Sequence, residues 1–278
     1  MTMRELNIRQ IQGVLLDTLV YVDGLCRKAS ISYYMVGGTL LGAVRHRGFI
    51  PWDDDIDIAM ERSEYDRFIS EWARADHEGY VLQNTHTDPS CRHSLSRILI
   101  SGALFSDNGG LNTTAAHNEL FIDIFPLDRV PDDVGKRTTQ RRNVERIKRV
   151  IGYKFSSRAS TRLKHIIKRM RQILLMPITY HSLNMRFNGF ACRYNGQEAR
   201  CLCSMASKYD YDKQAMTREV YGKPQEMQFE GHSFLGPERP DEYLKQAYGA
   251  YMELPSEEKR FSSVRVKASE ELIRRLSL

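Results

Sequence analysis

Three aspartates alternate at positions 53, 55 and 57 in PWDDDIDIAM, at the entrance to an apolar run. A strand has a side-chain period of two, so Asp53, Asp55 and Asp57 share one face while Ile56 and Ile58 anchor the other in a core. Carboxylates this close repel, which raises their pKa values and couples their titration; near neutral pH the arrangement needs a cation among them. Mg2+ is the natural choice, with Mn2+ as its substitute. Magnesium at phosphoryl-transfer sites takes hard oxygen ligands from one or two carboxylates and leaves the rest to water and substrate phosphates. An Asp-x-Asp pair by itself is a weak signal, and what precedes it adds the weight.

Ile8, Ile11, Leu15, Leu19, Val22 and Cys26 recur at helical spacing and predict an opening amphipathic helix. ISYYMV (31–36) reads as a strand, broken by Gly37-Gly38, after which Thr39 is placed to cap a short helix that stops at Gly48 in a left-handed conformation. A strand, a glycine turn and a helix N-terminus form a geometry in which backbone N–H groups and the helix dipole receive a phosphate, so Gly37, Gly38 and Thr39 are candidate ligand-binding residues. Arg45, His46 and Arg47 end that helix, where cations also suit the carbonyl end; Arg45 is the better phosphate contact because its guanidinium is forked. A second strand runs through DIDIAM, and Ser63 to Asp66 make a capping-box-like start for the next helix. Further strands are expected at 80–85, 95–101 and 119–125, separated by loops 86–94 and 106–118, with Asp128 as a turn residue beyond Pro126. MQFEGHSF (227–234) reads as a strand or hairpin arm, and 240–249 as a short helix with Pro in its first turn. The pattern is a mixed α/β layer.

The charge is uneven. Residues 136–171 hold fourteen Lys and Arg against the single acid Glu145, so this segment is +13 within a chain of net charge +6, and the remainder is −7. Val144, Ile147 and Ile151, then Leu163, Ile166, Ile167 and Met170, recur through it at helical spacing, which reads as basic amphipathic helices. Such a face suits a solvated helix with a core-facing stripe or an anionic membrane surface. Nucleic acid ranks last, because no recognised binding module or aromatic stacking strand accompanies the charge. No run of apolar residues approaches the ~20 a membrane span needs, and GVLLDTLVYV near the start is broken by Asp17, so neither a span nor a signal peptide is expected. Five irregularly spaced cysteines fit free thiols and a cytoplasmic setting better than a disulfide framework.

Strand, glycine turn, helix and a second strand bearing Asp-hydrophobic-Asp resemble the layout of the nucleotidyltransferase superfamily, the fold of DNA polymerase β. That superfamily expects a third carboxylate on a later strand, and ELFIDIFPLD offers Asp123 between Ile122 and Ile124. The run GGTLLGAVRHRGFIPWDDDIDIAM (37–60) strongly resembles the LicD family, which transfers phosphocholine and related phospho-alcohols to glycans and includes the fukutin-related ribitol-phosphate transferases. FIDIFPLDRVP (121–131), QFEG and YLKQAYGAYMELP (243–255) extend the likeness over most of the chain. Two departures stand out: Ala250 where many relatives carry an acid, and Arg97 where many carry a lysine.

The resemblance implies an α+β fold: a nucleotidyltransferase-like core (1–130), a basic helical region (131–200) and a C-terminal cap (201–278). It implies that Asp55 and Asp57 bind Mg2+ and that Asp123 completes the site and accepts the proton of the attacking hydroxyl. Gly38 and Thr39 would meet the donor's pyrophosphate with Arg45 and His46 nearby, while Asp53 is either a further ligand or a turn residue behind Trp52. His117 and the Lys259-Arg260 pair are left off the catalytic set. The expected reaction moves a phospho-alcohol from a CDP-activated donor to a hydroxyl of a cell-surface or lipid-linked glycan and releases CMP. The expected location is cytoplasmic, peripheral on the inner face of a bacterial membrane through residues 136–178. Alternatives are a nucleotidyltransferase that releases pyrophosphate from a nucleoside triphosphate, and a non-catalytic adaptor for membranes or polyanions.

Overall fold

A computed structural model describes residues 3–105, 118–155 and 173–276. His117, loop 106–117 and the second half of the basic segment, with Leu163, Ile166, Ile167 and Met170, lie outside the described residues. The chain runs β1 (Met3–Leu6), α1 (Ile8–Lys28), β2 (Tyr34–Met35), α2 (Gly37–His46), β3 (Asp57–Glu61), α3 (Arg62–Trp72), β4 (Tyr80–Gln83), β5 (Ser96–Phe105) and β6 (Glu119–Val130). After α4 (Val134–Phe155) and α5 (Tyr180–Ala191) come β7 (Cys201–Cys203), α6 (Tyr211–Gln214), β8 (Ala215–Thr217) and α7 (Arg218–Tyr221). The hairpin β9 (Gln225–Phe229) and β10 (His232–Gly236), then α8 (Pro240–Tyr248), β11 (Val266–Ser269) and α9 (Glu270–Arg275), complete it.

The architecture is the expected α+β one: a mixed sheet with flanking helices and a helical insert between β6 and β7. Strands β1, β11, β5, β6, β3 and β2 lie side by side in that order; β4 also pairs with β5, and β7 and β8 continue from β6. β3 and β6 run parallel, with Asp57 opposite Asp123, and the other described pairs are antiparallel. Helix α1 forms where its periodicity predicts. The Asn7 side chain accepts from Gln10 N at 2.9 Å, and Gln10 Oε1 accepts from Asn7 N at 3.1 Å, a capping box worth ~1 kcal/mol. Ile11, Leu15, Leu19, Val22 and Cys26 are buried against the sheet, each apolar side chain contributing about 2 kcal/mol.

Several local expectations are corrected. Helix α2 starts at Gly37 rather than after Thr39, its N-cap Val36 makes no side-chain cap bond, and the left-handed residue at its end is Arg47 (φ 57°), not Gly48. Gly48 serves close approach instead: a Cβ there would lie 2.3 Å from Glu230 Oε1, which accepts from Phe49 N at 2.9 Å. Helix α3 starts at Arg62, ahead of the Ser63 expected to cap it, and its N-cap Glu61 makes no side-chain cap bond. Strand β3 begins only at Asp57: the chain turns just before it, Asp53 N donating to Ile50 O at 2.8 Å, so Asp53 and Asp55 precede the strand instead of sharing its face with Asp57.

Strand β6 continues past Pro126, so Asp128 is a strand residue and not a turn. Asp123 N–H points at β3, so alternation sends the missing N–H of Pro126 to the other edge, in the gap between the start of β5 at Ser96 and the end of β7 at Cys203. A proline there costs no ladder bond.

Two apolar cores result. The larger lies on the sheet under α1, α2, α3 and α8. The smaller joins Val144 and Ile147 of α4 to Leu183, Phe187 and Ala191 of α5, with Val130, Cys203 and Tyr211. The apolar stripe of the described half of the basic segment therefore faces protein. Cys26, Cys91, Cys192, Cys201 and Cys203 are free thiols. Among the described residues no helix is long and apolar enough to cross a membrane.

Candidate active site

The site begins at the glycine pair. Gly37 has φ 59°, where only glycine is unstrained, and a Cβ on it would lie 2.9 Å from Asp57 Oδ2. A Cβ on Gly38 would lie 2.7 Å from Asp53 Oδ2. The two glycines thus let two carboxylates come against the first turn of α2, whose positive dipole end favours negative charge. Thr39 is buried and its hydroxyl accepts from Asp57 N at 2.8 Å, so it fixes the strand start instead of offering itself to a ligand. Tyr243 of α8 closes the other side, its hydroxyl accepting from Gly37 N at 3.3 Å.

Asp57 and Asp123 sit at the same register on adjoining parallel strands. Burial first, then Asp55 and Asp123, push the Asp57 carboxyl well above the ordinary carboxylate range. Burial, Asp54 and Asp123 raise Asp55 in the same way. Burial first, then Asp55 and Asp54, push Asp53 up to about 8, while its backbone N–H closes a turn by donating to Ile50 O at 2.8 Å. Burial also raises Asp123, against the pull of Arg97, whose Nε donates to Asp123 Oδ1 at 2.8 Å. The Arg97 guanidinium lies 3.7 Å from the Phe121 ring centre and donates through NH1 to His93 Nε2 at 2.7 Å. Burial, with Arg97 and Arg92, lowers the His93 pKa to about 3, so the ring is neutral and free to accept.

Arg45 and His46 sit at the far end of α2, about 13 Å along the helix from Gly37. Arg45 donates through Nε to His46 Nε2 at 3.0 Å and through NH1 to the carbonyls of Tyr251 (2.8 Å) and Glu253 (3.3 Å), tying down the 250–254 loop. Burial lowers both their pKa values. Arg260 stacks 5.9 Å over Trp52, Ser262 Oγ donates to Asp54, and Lys259 is exposed. Three further groups were not singled out from the sequence: Tyr243 at Gly37, His93 behind Arg97, and Lys208, which interacts electrostatically with Asp53, Asp55, Asp57 and Asp123.

The donor set is all carboxylate and short of positive charge, which fits a hard divalent cation. Among the described residues no three His, Cys, Asp or Glu side chains are gathered at liganding positions as they stand. Arg97 already holds one oxygen of Asp123. Two carboxylates with phosphate and water oxygens are enough for magnesium.

A family described as LicD/FKTN/FKRP, nucleotidyltransferase domain, matches residues 30–152. The lipopolysaccharide cholinephosphotransferase LicD of Haemophilus influenzae is 32% identical over 267 residues, covering 92% of this chain and 95% of that protein. The human ribitol 5-phosphate transferase FKRP is 46% identical over 44 residues, 16% of this chain and 9% of that protein. An uncharacterized protein of Rickettsia typhi is 50% identical over 60 residues, 22% of this chain and 19% of that protein.

Proposed function

This chain belongs to the LicD family of phosphotransferases, and on that premise we propose that it moves phosphocholine or a similar phospho-alcohol from a CDP-activated donor to a glycan hydroxyl, releasing CMP. The observation that carries the reading is the undercompensated acid cluster at the glycine turn, with Asp57 and Asp123 in register on parallel strands. The choice of phosphocholine and of a lipopolysaccharide-like acceptor is supported by the Haemophilus relative, which is similar along nearly its whole length.

Asp55, Asp57 and Asp123 would hold Mg2+ or Mn2+. Such an ion, when bound, neutralises charge on the transferring phosphoryl and on the departing CMP. The acceptor oxygen forms a bond to the β-phosphorus while the bond from that phosphorus to the bridging oxygen breaks, its electron pair leaving with CMP. Asp123 takes the hydroxyl proton. Burial gives its carboxyl the proton affinity for this, and Arg97 on Oδ1 orients it and leaves Oδ2 to act. Gly37 and Gly38 keep Asp57 and Asp53 against the helix end without obstruction. A lipid-linked acceptor would bring the protein to an anionic membrane face, which the basic segment 136–178 suits, at ~1 kcal/mol for each basic residue near the surface.

Incubation with CDP-choline, CDP-ribitol, CDP-glycerol and CDP-ethanolamine in turn, with Mg2+ and a glycan acceptor, tests this through CMP release. Release from one of them is expected. Pyrophosphate release from a nucleoside triphosphate, with no CMP from any CDP-alcohol, would overturn it.

A further inference from the structure

Lys208 lies on the turn between β7 and α6. From behind, the second core fixes that turn: Ser207 N donates to Ser204 O at 3.2 Å, Tyr209 N to Ser207 Oγ at 3.2 Å, and Lys148 Nζ of α4 donates to Ser207 O. From the front, helix α8 holds it. Tyr209 meets Tyr248 edge-on with ring centres 6.4 Å apart, and Gln246 Nε2 donates to the carbonyl of Ala215 at 2.9 Å. The same helix supplies the Tyr243 hydroxyl to Gly37 N, so one rigid element sets the Lys208 turn beside the first turn of α2.

Lys208 is exposed, its Nζ is 5.5 Å from the centre of the Tyr209 ring, and no ion pair holds it among the described residues. Burial works against its charge, yet Tyr209, Asp55, Asp57 and Asp53 more than offset this. Helix α8 thus holds the turn beside the first turn of α2, and the ammonium interacts electrostatically with the acids, with no ion pair to any of them among the described residues. A divalent cation among those carboxylates would repel it, and two neighbouring positive groups are stable together when an anion with several oxygens lies between them. A lysine suits that task, being a compact charge on a flexible stem.

We propose that Lys208 binds the diphosphate of the nucleotide-activated donor at the mouth of the acid cluster. This rests on the phosphotransfer reading above, and its test includes an arm independent of turnover. CDP and inorganic pyrophosphate, each with Mg2+, are titrated calorimetrically into the full chain and into Lys208→Met, Lys208→Arg and Lys213→Met, with KM and kcat for the CDP-alcohol measured in parallel. Lys208→Met is expected to weaken both ligands by about 10- to 100-fold and to raise KM more than it lowers kcat, with the unfolding midpoint unchanged. Lys208→Arg should keep most of the affinity, and the exposed Lys213→Met all of it. Wild-type affinity in Lys208→Met overturns the proposal, and so does an equal loss in Lys213→Met. If the unaltered chain binds pyrophosphate but releases no CMP, the proposed reaction falls, while loss of pyrophosphate binding in Lys208→Met still supports this assignment. An unaltered chain that binds neither ligand sinks both.

Discussion

Strand β6 carries two acids, Asp123 and Asp128, in opposite surroundings. Asp128 is 1% exposed and fully partnered: Arg62 donates to both its oxygens at 2.8 Å, and Asn195 Nδ2 donates at 2.7 Å. Asp123 has one bond from Arg97 and shares its surroundings with Asp55 and Asp57. One carboxylate locks the junction between the two cores, and the other, ion-paired only with Arg97 among the described residues, stands among further acids. A buried acid is structural or chemical according to whether its own chain completes its charge, not according to burial itself.

The sharpest break of this contrast is Asp57→Ala. It is expected to lower CMP release by about 10³-fold or more while the melting temperature holds or rises, since one of several repelling carboxyls is gone. Asp55→Ala should behave alike, and full activity of either in magnesium would dissolve the distinction. Asp128→Ala is the mirror case. It strands Arg62 in a buried setting and should cost ~3–5 kcal/mol in urea unfolding, with turnover per folded molecule retained. Arg62→Met combined with Asp128→Leu should recover much of that loss, which a catalytic acid would not allow.

A smaller effect comes from Gly37→Ala, where a Cβ must enter a left-handed backbone and press on the Asp57 carboxylate. About 1–2 kcal/mol of stability and a measurable part of the CMP release should go together. The smallest is a pH trend. A carboxyl whose folded pKa is raised stabilises the fold fully below its unfolded value and loses that contribution as pH climbs through the folded one. For Asp53 the window runs from the ordinary carboxylate range to about 8, so melting temperatures in EDTA should fall from pH 5 to pH 8, Mg2+ should restore them, and Asp53→Asn should flatten the slope.

The contrast also bears on how much a sequence shows. Asp55, Asp57 and the glycine pair are close in the chain and stand out there as candidates, but the period of two holds only from Asp57 on, and α2 starts at Gly37 itself. Asp123 was named through the resemblance, which expects a third acid on a later strand; its neighbours Ile122 and Ile124 are buried. Asp128 was misread because Pro126 suggests a stop, and only the three-dimensional gap between β5 and β7 makes a proline tolerable there. Thr39 carried a capping signal, but Asp57 N took its hydroxyl. Lys208 carries no periodicity or motif, and Tyr243, though inside a run that resembles the family, gives no sign in the sequence of reaching Gly37; both placements depend on α8 and the β7–α6 turn folding back, which no window of neighbouring residues encodes.

Met3 of β1 pairs with Ser269 of β11, and β11 is what joins β1 to the rest of the sheet. On the ribosome, β1 is therefore made long before β11 and waits for that partner, its backbone edge open to neighbouring nascent chains. Chaperone dependence during synthesis should track β11: a nascent chain stalled before residue 266 would be held by a chaperone, and one extended past residue 269 released.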